Sequence, residues 1–316
     1  MTTAPFADGR FRNAHATPER PGGVLRWMLT RQRAAWPSHV ADTPFPPPAR
    51  ATVDEIAVTF IGHATFLLQI GGIAVLLDPI WSERASPLAF AGPRRVRAPG
   101  QPLAALPCVD VLLVSHCHYD HMDLPTLRAV RARWSPAVAT GLGNARHLVK
   151  AGIGTAHELD WWQSVTLGDA TVTYVPAQHF SARTPFDRDR ALWGGFVVEA
   201  AGRSVYFAAD TGYCPHFSEI ARRFPRLDLA LLPIGAYEPR WFMSGHHMNP
   251  AEAVRAHLDL GGPPCIGMHH ATFQLTDEAI DAPTEALAAA LAANGVAPAR
   301  FRTLAVGATE VLGPAG

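Results

Sequence analysis

The sequence predicts a single α/β domain in which helices cover packed sheets, and three observations carry that expectation. From residue 56 the chain breaks into short β-rich runs separated by glycine-containing turns. A run at 109–114, apolar but for Asp110, has the pattern of a strand buried on both faces, and Ser115-His116 follow it at once. Helical spacing then recurs along the rest of the chain instead of clustering at one end. With 48% apolar and 17% charged residues over 316 positions, the chain can fill a large core and is not a disordered one.

Residues 1–52 read as an irregular, Pro-rich leader closing on Pro46-Pro47-Pro48, and residues 53–316 as the folded domain. Inside the leader, 24–36 mixes Leu25, Trp27, Met28, Leu29 and Trp36 with Arg26, Arg31 and Arg33. A short helix that packs its Trp and Leu residues on the body is preferred to a basic amphipathic segment touching lipid, because the stretch is short and its periodicity imperfect. Strands at 56–61, 65–70 and 73–77, turned by Gly62-His63 and Gly71-Gly72, form a meander. After 109–114, residues 123–134 carry Leu124, Leu127 and Val130 at helical spacing with Asp123 as N-cap. Further strands are expected at 171–175, 195–199, 204–207, 229–233, 265–268 and 302–306. Helices are expected at 217–224, 250–260 and 284–293, the last ending at Gly295.

Lys plus Arg and Asp plus Glu are both 27, and a chain without a basic surplus is a poor non-specific binder of nucleic acid. Cys108, Cys117, Cys214 and Cys265 form no C-x-x-C pair and read as reduced thiols. Residues 1–13 show no apolar signal segment, and no run is long enough to span a bilayer. The expected location is the cytoplasm, with peripheral contact at the inner membrane surface, and a homodimer is the candidate assembly.

The 15 His residues are unevenly placed. His116-Cys117-His118-Tyr119-Asp120-His121 puts four potential ligands into six residues directly after the buried run. Imidazole nitrogen and carboxylate oxygen are the donors of catalytic zinc, so a metal site outweighs the bland alternative of a solvated polar loop. His179, Asp210 and the pair His269-His270 each follow an expected strand. Singly they are weak signals, but four strand ends are expected to meet at one sheet edge, where such enzymes gather their chemistry.

His116-x-His118-x-Asp120-His121 with His179, Asp210 and His269 resembles the metallo-β-lactamase superfamily, an αββα sandwich with a two-metal site. Six further stretches narrow the resemblance: 59–65 (Thr-Phe-Ile-Gly-His-Ala-Thr), 78–82 (Asp-Pro-Ile-Trp-Ser), 115–121, 209–213 (Ala-Asp-Thr-Gly-Tyr), 232–237 (Leu-Pro-Ile-Gly-Ala-Tyr) and 250–254 (Pro-Ala-Glu-Ala-Val). They resemble the N-acyl-phosphatidylethanolamine-hydrolysing phospholipase D-like branch from about residue 54 onward, and Phe11-Arg12-Asn13 and Leu25-Arg26-Trp27 resemble it more faintly. The resemblance implies two divalent ions, zinc by donor type. One would take His116, His118 and His179, and the other Asp120, His121 and His269. Asp210 would bridge them, and a hydroxide held between the ions would be the nucleophile. It also implies that Asp78 supports a ligand His and that His63 and His247 face the pocket, with His247 as acid or phosphate ligand.

The family usually has Trp-Gly after the last ligand His, whereas here His270-Ala271 stand there, which places His270 at the pocket wall. Trp161, Trp162, Phe180 and Trp193 are candidates for an acyl-chain groove, and Arg183, Asp187 and Arg188 for phosphate contacts. The implied activity is a lipid phosphodiesterase, ahead of a lactonase or phosphodiesterase with a small phosphorylated substrate. A metal-binding sensor or scaffold without turnover is the alternative from another class.

Overall fold

In the computed structural model, which describes residues 3–16 and 23–313, the leader lies against the body. β1 (Phe6–Ala7) and β2 (Arg10–Phe11) form a hairpin whose turn residues Asp8 and Gly9 have φ of 55° and 72°. An Asp-Gly pair adopts those angles at low cost. α1 (Gly23–Thr30) follows, shorter than the expected 24–36 segment. Its packing is half of what the residues suggested. Trp27 stacks on Phe242 at 5.3 Å and donates to Asp277, and Trp36 donates to the Glu278 carbonyl. Leu25 and Leu29, by contrast, are 63% and 77% exposed.

The meander expected after residue 53 is β3 (Ile56–Gly62), β4 (Thr65–Ile70) and β5 (Ile73–Leu77), paired antiparallel. β6 (Val111–Val114), α2 (Leu124–Trp134), β7 (Ala137–Gly141), α3 (Ala145–Leu148) and β8 (His157–Leu159) then extend that sheet in parallel. A second sheet repeats the plan. β9 (Ser164–Leu167), β10 (Ala170–Val175), β11 (Gly195–Ala200) and β12 (Arg203–Phe207) are antiparallel neighbours. After α4 (His216–Arg223) the sheet turns parallel with β13 (Leu229–Pro233). α5 (Arg240–Met243) and α6 (Pro250–Asp259) lead to β14 (Cys265–Met268), and α7 (Ala282–Ala293) leads to β15 (Phe301–Arg302). Finally β16 (Thr309–Leu312) returns to pair with β3, so each sheet has seven strands.

The core explains why these runs stack. Phe60 and Phe66 of the first sheet and Tyr174, Phe196 and Phe207 of the second are fully buried in one apolar cluster. Each such burial contributes about 1.5–3 kcal/mol. α2 buries Leu127 and Val130 against Leu112 and Val114 in a second cluster outside the first sheet. α6 begins with a capping box between Asn249 and Glu252 and with Pro at the first helical position. The result is the expected α/β sandwich, with the meander halves facing one another.

Some local expectations change. The strand at 302–306 shrinks to Phe301–Arg302, because the chain must turn back toward β3. There Gly307 (φ 91°) bonds Phe60 and passes so close to Gly100 that a Cβ on either would meet backbone at 2.1–2.6 Å. Asp123 sits at the N-cap of α2, but its carboxylate accepts from Ser82 and Thr126 instead of the helix amides. Among the described residues no helix is long and apolar enough to cross a membrane, and all four cysteines are free thiols.

Candidate metal centre

The buried strand β6 ends at Val114, and the next eight residues form a tight turn in which His121 and Met122 both bond back to the His118 carbonyl. This turn throws its imidazoles and carboxylate to one side. His116 Nε2 and His118 Nδ1 lie 2.8 Å apart, and His179 Nε2, at the far end of β10, lies 3.2 Å from the same His118 nitrogen. Asp210, just past β12, completes a group of four ligand atoms with these three.

Alongside is a second group: His63, Asp120, His121 and His269. Asp120 Oδ2 stands 3.0 Å from His63 Nε2, 3.3 Å from His269 Nε2 and 3.4 Å from His121 Nε2. Asp210 faces both groups. Its Oδ1 is 3.1 Å from His269 Nε2, and its Oδ2 is 3.2 Å from His121 Nε2 and 3.6 Å from His179 Nε2.

A water-filled explanation fits this chemistry poorly, because the donors are buried and nearly all nitrogen and carboxylate. Three imidazole nitrogens aimed at one point suit a cation, since tetrahedral zinc donors at ~2.0–2.1 Å lie roughly 3.4 Å from one another. Two buried atoms in the middle, His121 Nε2 and Asp210 Oδ1, have no hydrogen-bond partner, and such atoms are costly unless something else satisfies them. The electrostatics agree. Burial drives His116 and His179 well below the usual imidazole range and His118 to about 4, so their lone pairs are free to coordinate. For His121 and His269 burial is outweighed by the Asp210 and Asp120 carboxylates, which hold His121 well up and His269 at about 9. For Asp120 and Asp210 burial is likewise outweighed, chiefly by His121, and both stay ionised. The donor set therefore fits divalent cations, which would take the place of the protons that the two carboxylates otherwise hold on His121 and His269.

Around the donors is a scaffold that orients them. His121 Nδ1 donates to Asp78 at 2.7 Å, and Asp78 also accepts from the Ser115 amide and hydroxyl at 2.7 and 2.5 Å. With its proton given to Asp78, Ser115 Oγ accepts from His116 Nδ1, which leaves His116 Nε2 as the ligating atom. His179 Nδ1 donates to the His246 carbonyl at 2.9 Å. The strand ends are sharply turned: His63, Asp78, Ala209 and His269 have φ of 58°, 38°, 52° and 61°. Non-glycine residues adopt such angles at a cost, which the packed sheets supply.

The structure separates the other candidates. Asp78 lies behind His121, as just described. His63 enters the second group directly instead of lining an outer pocket. The ring of His247 lies 4.0 Å from Asp210 Oδ2 and faces the cavity, whereas His246 contributes its carbonyl to His179. His270 is a correction: it turns away from the cavity to stack on Phe60 at 5.9 Å, because successive residues leave the strand end on opposite sides. Trp193 lines the cavity from below with its indole bonded to the Ala177 carbonyl. Trp161 and Trp162 are core residues and not a groove wall. Arg183 braces the ligand turn through the Cys117 and Met122 carbonyls, and Asp187 accepts from the amides of Arg183 and Thr184. Of these three loop charges only Arg188 reaches the cavity, lying over Phe180 at 4.5 Å. The four strand ends do not share one sheet edge: His116 to His121 come from the first sheet, and His179, Asp210 and His269 from the second.

Above the donors is a cavity of about 880 Å³. Its rim carries the leader residues Phe11, Val24 and Trp27 with Phe242 and Met243. The leader thus lines the cavity together with the loops.

Residues 74–270 match the family described as the beta-lactamase superfamily domain. An uncharacterized protein of Mycobacterium tuberculosis is 39% identical over 273 residues, covering 84% of this chain and 73% of that protein. N-acyl-phosphatidylethanolamine-hydrolyzing phospholipase D 1 of Caenorhabditis elegans is 40% identical over 229 residues, or 69% of this chain and 64% of the nematode protein. The chain thus spans under two thirds of that relative. Among solved structures, isothiocyanate hydrolase from Delia radicum gut bacteria has a TM-score of 0.65 at 20% identity, covering 82% of this chain and 99% of that one, a likeness of fold.

Proposed function

The chain belongs to the beta-lactamase superfamily and is a metal-dependent hydrolase, and from that premise we propose a phosphodiesterase of phospholipase D type acting on N-acyl-phosphatidylethanolamine-like lipids. The observation that carries this reading is a two-part His/Asp donor cluster at the floor of a cavity of about 880 Å³ with an aromatic rim. That volume accommodates an acyl chain, and the apolar walls give it a place to lie. The nematode relative, whose name states this activity, supports the same assignment.

One ion would be held by His116, His118 and His179, the other by Asp120, His121 and His269, with Asp210 shared. Two divalent cations, zinc by donor type, supply Lewis-acid charge and an activated water for displacement at phosphorus. The chain's own residues do the rest. Asp210 faces both halves, with Oδ1 toward His269 and Oδ2 between His121 and His179, and keeps the halves in register. His247, driven to about 4 by burial, is a neutral imidazole that can offer a hydrogen bond to a phosphoryl or leaving oxygen. Arg188 meets phosphate charge from the rim. Phe11, Trp27 and Phe242 exclude water from the approach. The exposed Val24, Leu25, Met28 and Leu29 on α1 adjoin the cavity mouth and suit contact with a lipid surface, with the cytoplasmic face of the inner membrane as the proposed location.

The test is turnover by metal-analysed protein of a panel: N-acyl-phosphatidylethanolamine in vesicles, a bis-aryl phosphodiester and a phosphorylated lactone. Phosphatidic acid and N-acylethanolamine from the vesicles are the expected products. Fast lactone hydrolysis with no phospholipid turnover would replace this reading by that of a small phosphorylated substrate.

A further inference from the structure

The ligand turn of the first sheet and His269 have their main chain held by the body. The His116 to His121 segment is one hydrogen-bonded turn after β6, and the His269 amide bonds the His63 carbonyl at 2.8 Å. His179 differs. It lies in the long irregular connection between β10 and β11, past the point where the strand ladder stops at Val175–Gly195 and one residue beyond an isolated bridge between Gln178 and Gly212. Its main chain is met by a side chain from the leader. The Asn13 amide nitrogen donates to the His179 carbonyl at 2.9 Å, and the Asn13 oxygen accepts from the His179 amide at 3.1 Å. That oxygen also accepts from the Trp193 indole at 3.0 Å.

One asparagine thus satisfies both polar groups of a ligand's backbone, as a neighbouring strand would, and ties that backbone to the floor of the cavity. The leader is fastened on both sides of this point. The Phe11 amide donates to the Asp189 carbonyl at 2.7 Å, and the Gln178 side chain donates to the His15 carbonyl at 3.0 Å. With its backbone fixed here and its Nδ1 fixed by the His246 carbonyl, the His179 ring has little freedom to leave His118.

We propose that Asn13 is a positioning residue for His179, so that the leader holds the His116–His118–His179 half of the metal centre and not the half built on Asp120, His121 and His269. The physical reason is preorganisation. A ligand on an irregular loop loses affinity when its backbone can wander, and groups that orient ligands are commonly worth 10–100-fold in metal affinity. The proposal rests on the metal-centre reading and is independent of the substrate.

The experiment follows zinc transfer from the zinc-loaded full chain to a chromophoric chelator by stopped flow, with zinc content measured beforehand. The phase that His179→Ala abolishes marks the half in question. Asn13→Ala is expected to speed that phase about 10–100-fold and to leave the other within about twofold. Asn13→Asp, which keeps an acceptor for the His179 amide and the indole but cannot donate to the carbonyl, falls between. Trp36→Phe removes a leader hydrogen bond of similar length far from the cluster and leaves both phases unchanged. Equal acceleration of both phases by Asn13→Ala, no acceleration, or the same effect from Trp36→Phe overturns the proposal. A wild-type protein that retains no zinc overturns the metal-centre reading beneath it.

Discussion

The floor of the cavity and its rim are built by different rules. The floor comes from strand ends, with donors buried between two seven-stranded sheets and backbones held at unusual angles by the packing around them. The rim comes from the leader and the loops, with aromatic and aliphatic side chains, several of them exposed. The difference teaches that the chemistry is set where the structure cannot move, and access to it where the chain is free to vary. Asn13 joins the two, a rim segment clasping a floor ligand.

The comparison breaks most sharply at Asp210. Asp210→Asn removes the charge shared by both halves, so activity should fall by more than the roughly 10–100-fold typical of outer-sphere partners, with metal lost and far-UV circular dichroism retained. Near wild-type turnover at full metal content would show that the two halves work without it. Next in size, His269→Ala should strip one of two metals while His270→Ala leaves metal content intact, because only the first ring meets the carboxylates. Elemental analysis of both variants decides it.

Asp78→Asn tests whether the floor extends behind its ligands. It should weaken metal retention about 10–100-fold in chelator competition, since His121 loses the carboxylate that orients it. At the rim, Leu25→Glu with Leu29→Glu should lower turnover on vesicles roughly tenfold through lost apolar contact, yet spare a soluble aryl phosphodiester. Equal losses on both substrates would mean that the rim supports the floor and does not read the lipid. Deleting the whole leader cannot separate these effects, because it removes Asn13 as well.

The smallest effect concerns acid stability away from the centre. Burial, reinforced by His15, pushes His216 down to about 3. Its folded form binds fewer protons than the unfolded form below pH ~6.5, so its contribution to stability is present above that pH and is lost as pH falls toward 3. His216→Phe should therefore flatten the decline of Tm between pH 6.5 and 4.5, even though it gives up the contact with Cys214. An unchanged slope would assign acid sensitivity to the floor histidines alone.

The donors were legible before any coordinates because metal chemistry restricts residue type so strongly. Four potential donors in six residues after a buried run leave few other uses. The meander and most of the parallel strands were equally plain, as continuous apolar runs between glycines. Short or half-exposed strands escaped. β16 alternates exposed and intermediate positions over Thr309–Leu312, and its place beside β3 comes from a partner some 250 residues earlier. Asp123 looked like a cap and serves Ser82 instead, since a carboxylate bonds whichever donor the packing delivers.

The sequence by itself determined most of the candidate donor side chains and that strands would carry them, because residue chemistry and hydrophobic period are local properties. Only the tertiary structure decided that the donors come from both sheets, that His63 joins them while His270 turns to Phe60, and that Asn13 reaches His179 across 166 positions. Those facts depend on the order in which the strands pair and on how the leader crosses the sandwich, and no window of neighbouring residues contains that information.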